Sequence, residues 1–210
     1  MTEADAPSRA DATRARLLAA AAEAFADRGF HGTTTRDIAA AAGMSPAAVY
    51  VHYKSKEQLL HHLSRVGHER IIETIDAVDD PAHSPTVRLA ATMRAFATHH
   101  ASSHTSVRVV NYELDALSPE HRAEIGTLRR EITRRLRAIV DAGVADGSFD
   151  TPDPRMATIA VLSSGIDIGR WYHDGGEITP DRIGDFYADL ALRTVGARTT
   201  DSTDSADTPH

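Results

Sequence analysis

Over most of the chain, apolar residues return every third or fourth position with polar residues between them, the spacing of a helix with one buried face. Leu18, Ala21, Ala22 and Phe25 fall at i, i+3, i+4 and i+7, which predicts a first helix over 13–28, stopped by Gly29. Thr35 is placed to cap a short second helix carrying Ile38, Ala39 and Ala42, ended by Gly43. Ser45 caps a third, with Pro46 in its first turn, where a missing backbone donor costs nothing. Ser55 opens a longer fourth helix as Ser-Lys-Glu-Gln, with Leu59, Leu60, Leu63 and Val66 inward, reaching about Ala77. The segment DDPAHSP (79–85) then interrupts the helical pattern, because each proline removes a donor and biases its predecessor away from helix. Further patterns cover 86–101, about 104–117, 119–145, 154–173 and 180–195. The expected fold is all-α, with about nine helices, no alternating strand and no internal repeat.

Residues 1–12 and 198–210 are polar, rich in Ser, Thr, Asp or Pro, and carry too little apolar surface to offset the entropy of ordering. They are expected to be disordered tails. Between them, 13–58 reads as one small domain and 59–197 as a larger helical one, with the boundary inside the fourth helix.

The second and third helices, with a short turn centred on Gly43, have the form of a helix-turn-helix. Ile38, Ala39, Val49 and Tyr53 should face the first helix, leaving Ser45, Pro46, Ala47, Ala48 and Tyr50 outside. That outer face is small and nearly uncharged, so it can approach base edges in a major groove about 12 Å wide. His52, Lys54 and Lys56 follow at its flank, where phosphates would lie.

Charge sharpens this picture. The chain has 23 basic and 30 acidic residues, a net of −7, which argues against a protein that coats nucleic acid indiscriminately. Yet residues 31–56 contain three basic residues (Arg36, Lys54, Lys56) against one acid (Asp37), a local net of +2. Cysteine is absent, so there is no disulfide framework and no thiolate chemistry. The N-terminus has no apolar signal region, and no window approaches the roughly 18 apolar residues of a membrane span. The expectation is a cytoplasmic protein with no membrane association.

The run Gly32, Thr34, Thr35, Ile38, Ala39, Gly43, Val49, Tyr50, His52, Tyr53, Lys56, Leu59 and Leu60 closely resembles the DNA-binding domain of TetR-family transcriptional regulators. The resemblance implies a homodimer whose two recognition helices enter successive major grooves of a palindromic operator on double-stranded DNA. Carried over by position, it places Arg36 at a base or phosphate contact, Thr34 and Thr35 at phosphate contacts and the cap, and Tyr50, His52 and Lys56 on the DNA backbone. Ala47 and Ala48 can offer only apolar contact, so base discrimination should rest on Arg36, Ser45, Tyr50 and DNA shape.

After the fourth helix the resemblance weakens. The last two helices carry stripes suited to pairing, Ile159, Leu162, Ile166 and Arg170 in one and Ile183, Phe186, Tyr187, Leu190 and Thr194 in the other, with Ser163 to Gly165 small enough for close approach. In the family such helices form a four-helix bundle with a partner; a purely intrachain core is the alternative. The stretch GRWYHDGGEITPDRIGDFYADLAL is similar to members that sense coenzyme A thioesters, which implies a small-molecule effector of that kind and a pocket both apolar and basic. On the 119–145 wheel Ile125, Leu128, Ile132, Leu136 and Ile139 face inward, and Arg129 and Arg135 flank them. With Arg170 these are the cations placed to meet a ligand phosphate, though for each a surface ion pair is the simpler reading. Met93, Phe96, Val107, Val110, Leu128, Leu162 and Trp171 are the expected pocket lining, or plain core.

Twelve histidines raise a metal hypothesis at His61, His62 and His68 and at His99, His100 and His104, but no carboxylate or third ligand is fixed nearby and a surface cluster is the simpler reading. No P-loop, Gly-x-Ser-x-Gly, His-Glu-x-x-His or cysteine nucleophile appears, so no enzyme and no cofactor is expected. The chain reads as a ligand-responsive transcriptional regulator, most simply a repressor; the other reading is a helical binding or scaffold protein with a vestigial helix-turn-helix.

Overall fold

The computed structural model describes residues 8–198. Among them are nine α-helices: α1 (Arg9–Gly32), α2 (Thr35–Ala41), α3 (Pro46–His52), α4 (Lys56–Val78), α5 (Pro85–Ser102), α6 (His104–Tyr112), α7 (Pro119–Ala145), α8 (Pro154–Trp171) and α9 (Pro180–Thr194), with a 3-10 turn at Leu114–Ala116. The only strand-like pairing among the described residues is one isolated bridge between Phe149 and Ala197. None of these helices is long and apolar enough to cross a membrane.

Local signals explain most helix ends. Ser45, Ser55, Ser84, Ser118 and Thr179 each accept a backbone N–H from the residue three positions on, and Pro46, Pro85, Pro119 and Pro180 follow four of them directly. Three expectations are corrected. Helix α1 begins at Arg9 rather than 13, because Ser8 caps it and Arg14 pairs with Asp11 at 3.2 Å; only residues 1–7 and 199–210 of the two expected tails lie outside the described residues. The cap of α2 is Thr34, not Thr35: its hydroxyl accepts from Asp37 N while the Asp37 carboxylate accepts from Thr34 N, a reciprocal capping box. The sixth helix ends at Tyr112 and continues only as the 3-10 turn.

Two main apolar clusters hold the chain together. The first gathers Leu17, Phe25, Ile38, Val49, Tyr53, Leu59, Leu60 and Leu63 around α1, and includes Val109, Val110, Leu117 and Ile125 from α6 and the α7 end of the chain. The second joins Ile71 and Ile75 of α4 to Leu89, Met93 and Phe96 of α5 and to buried faces of α7, α8 and α9. Helix α4 runs through both. The helix-turn-helix therefore does not own a separate core; part of its packing comes from the larger helical layer.

Candidate DNA interface and effector pocket

The helix-turn-helix forms because its inner positions are apolar and its turn is glycine. Ile38, Ala39 and Val49 are fully buried, while Gly43 takes φ 65°, a conformation that a side chain would strain. The Arg16 guanidinium donates to the Ala42 carbonyl and ties the end of α2 to α1. Outside, Thr34, Arg36, Ser45, Pro46 and Ala47 are exposed, Ala48 is half-buried and Tyr50 is 52% exposed. The Tyr50 hydroxyl lies 3.1 Å from Thr35 Oγ1, so α2 and α3 present one continuous polar edge. Arg36 makes no ion pair among the described residues. Tyr53 is buried, as its inward position predicts, and burial raises the pKa of its phenol.

One outward residue was not singled out by sequence. Val51 is 81% exposed at the end of α3, the most exposed of the large apolar side chains among the described residues. An isolated valine carries no sequence signal of contact; only its position on the outer edge of this helix brings it forward, as a surface suited to a thymine methyl.

Lys56 has a structural attachment. Its Nζ donates to the carbonyls of Phe30 at 2.7 Å and Thr33 at 2.8 Å and sits 4.3 Å from the Phe30 ring centroid. It thereby fixes the α1–α2 junction beneath the recognition helix. Lys56→Ala is expected to cost about 1.5–3 kcal/mol of folding stability, read by urea unfolding, since two carbonyls lose a charged donor. If Lys56 also meets a phosphate, the salt slope of DNA binding falls by about one unit in the same variant.

The second site is a cavity of about 330 Å³ walled by α4, α5, α6, α7 and α8. Leu63, Ile71, Phe96, Val107, Val110, Ile132 and Leu162 make it largely apolar. Of the residues expected to meet a ligand, Phe96, Val107, Val110, Arg129 and Leu162 are in its wall; Met93, Leu128, Arg170 and Trp171 are not. Met93 is fully buried in the second cluster. Leu128, one position before Arg129, turns toward the first cluster. Arg170 is exposed and pairs with Asp167 at 3.1 Å, and Trp171 is 44% exposed at the end of α8. Arg135 is taken by Asp76 at 2.8 Å and by Glu131. Arg129 alone of the three cations faces the cavity: it donates to Asn111 Oδ1 at 2.9 Å, has no carboxylate partner among the described residues, and burial pushes its pKa down. Arginine nevertheless stays charged, so the cavity holds a desolvated cation.

His68, His99 and His100 also line this cavity. The surface-cluster reading of the histidines fails for two of them, since His68 is 5% and His100 3% exposed. Their positions on α4 and α5, four residues after Ser64 and Phe96, let each Nδ1 reach a backbone carbonyl one turn back, at 2.7 and 2.8 Å. Burial pushes His68 down to about 4 and His100 to about 3, so both are neutral near pH 7. Among the described residues no group of three or more His, Cys, Asp or Glu is arranged to hold a metal.

The small residues of α8 serve the chain's own packing: a Cβ on Gly165 would lie 2.8 Å from the Phe96 ring of α5. Helices α8 and α9 also leave Met156, Ile159, Trp171 and Phe186 exposed, Ile159 with Ser163 at the edge of the cavity wall.

Comparison with known proteins places both parts of the chain in one family. Residues 17–63 match the family described as bacterial regulatory proteins, tetR family, and residues 82–195 match a tetracyclin repressor-like C-terminal domain. The HTH-type transcriptional repressor KstR2 of Mycolicibacterium smegmatis is 32% identical over 194 residues, covering 90% of this chain and 93% of the relative. A bacterial regulatory protein in the tetR family from Rhodococcus RHA1 superposes with a TM-score of 0.85 at 44% identity, over 92% of this chain and 100% of that one. AibR, solved in complex with isovaleryl coenzyme A and operator DNA, superposes with a TM-score of 0.78 at 25% identity, over 89% and 100% of the two chains.

Proposed function

Because the chain belongs to the TetR family of bacterial transcriptional regulators, and so is a ligand-responsive DNA-binding transcription factor and not an enzyme, we propose that it is a homodimeric repressor released from a palindromic operator by an acyl-coenzyme A thioester. The observation that carries the coupling is a shared core. Leu63 of α4 and Val110 of α6 line the cavity and also pack in the cluster that holds Ile38 and Val49 of the helix-turn-helix. A ligand that displaces either side chain disturbs the packing beneath the recognition helix.

Further ties cross the same junction. Glu57 at the start of α4 accepts from Ser118 N at 3.0 Å and lies 2.7 Å from His121 Nδ1, while His61 lies 2.9 Å from Glu124 and its ring stacks on His121 at 3.7 Å. A rotation of α4 relative to α7 would have to break this set together, which favours two discrete arrangements over a continuous bend. The effector shifts the population only by its differential affinity for those arrangements. Loss of the 34–36 Å spacing required by adjacent major grooves then releases the DNA.

The thioester reading rests on the AibR likeness and on cavity size. About 330 Å³ suits an acyl chain, while the nucleotide must extend outside. The site residues divide accordingly: Arg36, Ser45, Tyr50 and Val51 toward bases, Thr34, Thr35 and His52 toward phosphates, and Phe96, Val110, Arg129 and Leu162 toward the effector. The domain division at 13–58 and 59–197 is kept as a functional one.

Selection of bound duplexes from a random pool should enrich a palindrome, and a panel of acyl-coenzyme A thioesters should then release it; failure to enrich any palindrome overturns the repressor reading. Within that assay Arg36→Ala should weaken operator binding by about 1–3 kcal/mol and relax one base position, with the melting temperature unchanged. A changed melting temperature with unchanged base preference would remove Arg36 from readout.

A further inference from the structure

The cavity contains more hydrogen-bonding chemistry than an acyl chain uses. With Nδ1 of His68 and of His100 donating to the carbonyls of Ser64 and Phe96, the second ring nitrogen of each is the unprotonated, accepting one. No donor among the described residues bonds to either Nε2, and both rings line the cavity while being at least nine-tenths buried. The Phe96 ring stacks on His100 with centroids 3.9 Å apart and holds its orientation. Opposite in character, Arg129 on α7 spends one N–H on Asn111 and keeps its other donors. One wall therefore offers acceptors and another offers donors; the surface between is largely apolar, with the hydroxyls of Ser103, Ser106, Thr133 and Ser163 and the Arg70 guanidinium, which pairs with Glu73, also in the lining. No aspartate or glutamate lines the cavity.

The acyl chain and thioester group of a plain acyl-coenzyme A offer a carbonyl oxygen to Arg129 but no N–H or O–H to the histidines, since the donors of such a molecule lie in its pantetheine arm and nucleotide. Packing it in the cavity excludes water and leaves two lone pairs unpaired, which sites built for a hydroxyl penalise strongly. We propose that the effector's acyl group bears a hydroxyl, which donates to Nε2 of His68 or His100 while Arg129 takes an acceptor oxygen of the same molecule. This rests on the reading of the cavity as an acyl-thioester pocket and adds the class of acyl group. His99, the third histidine of the wall, is partly exposed and contributes to the rim.

The test is calorimetric titration of the full chain with octanoyl-coenzyme A and with its 2-, 3- and 8-hydroxy derivatives. One hydroxy isomer should bind at least about tenfold more tightly than the parent, the worth of one satisfied polar group. In His68→Phe and His100→Phe, at least one variant should bring that ratio below about twofold. Since either variant can disturb folding, nitrogen-15 spectra of the wild-type imidazoles provide an independent measurement: the favoured isomer should move an Nε2 resonance upfield and the parent should not. Equal affinities of parent and all isomers, or an unmoved Nε2 resonance, overturn the hydroxyl inference and leave the thioester pocket standing. Absence of binding by every thioester, with operator binding intact, overturns the effector class and this inference together.

Discussion

Phe186→Asp should convert the protein to a monomer and lower operator affinity by roughly 10²–10⁴-fold, the advantage that linking two half-site contacts confers. Phe186 is 63% exposed on α9, beside an α8 face that shows Met156, Ile159 and Trp171 to solvent. Large apolar side chains left exposed on two neighbouring helices are costly to leave wet, and a two-fold copy of the same surface can cover them. In such an interface each buried phenylalanine contributes about 1.5–3 kcal/mol, and an aspartate replaces that gain with an unpaired charge. In the free chain the same aspartate is solvated, so helicity and unfolding of the monomer should change by no more than about 0.5 kcal/mol. Sedimentation equilibrium and operator titration on one preparation read both effects. A dimer of undiminished affinity would place the interface elsewhere.

The second large effect is acid destabilisation that begins well above the carboxylate range. His68 and His100 are held neutral, at about 4 and about 3, by burial in the cavity wall. Burial also lowers His62 and His99. In the unfolded chain a histidine binds its proton near pH 6.5, so below that pH the unfolded state holds more protons and stability falls as pH falls. The stability from neutral burial is complete above about pH 7 and is lost progressively down to the folded values. For His68 and His100 the loss is about 3 kcal/mol each by pH 4. Urea unfolding from pH 7.5 to 4.5 should show the midpoint falling from pH 6.5 downward, with a shallower fall in His100→Phe. A midpoint flat to pH 5 would mean that the two rings are charged or exposed. Between pH 6.5 and 8 neither ring titrates in the folded protein, so these rings should not make effector affinity pH-dependent in that interval.

The extent to which this architecture is legible in the sequence differs between the two sites. The helix-turn-helix was legible because every part of it is local: the caps at Thr34, Ser45 and Ser55, the prolines after caps, Gly43, and the period of Ile38, Ala39 and Val49 lie within thirty residues. Even its misreading, Thr35 for Thr34 as cap, is a shift of one residue between two side chains of the same kind.

The pocket was half legible. Arg129, Arg135 and Arg170 are alike on a helical wheel, and what separates them is a carboxylate within reach: Asp76 from α4 for Arg135, Asp167 one turn back for Arg170, none for Arg129. Similarly, His68 and His100 sit in histidine-rich stretches that read as surface, and their burial depends on α6, α7 and α8 closing over them. A hydrophobic period assigns a face, but on adjacent positions such as Leu128 and Arg129 it cannot say which neighbour each face meets.

Helix positions, the all-α class and the basic footprint at residues 31–56 follow from the sequence because propensity, capping and charge act over a few residues. That Arg129 is the cation of the cavity wall without a carboxylate partner among the described residues, the two neutral acceptors and the core shared between α4, α6 and the recognition helix required the assembled fold, because burial and ion pairing depend on residues far apart in the chain that meet only after the helices pack.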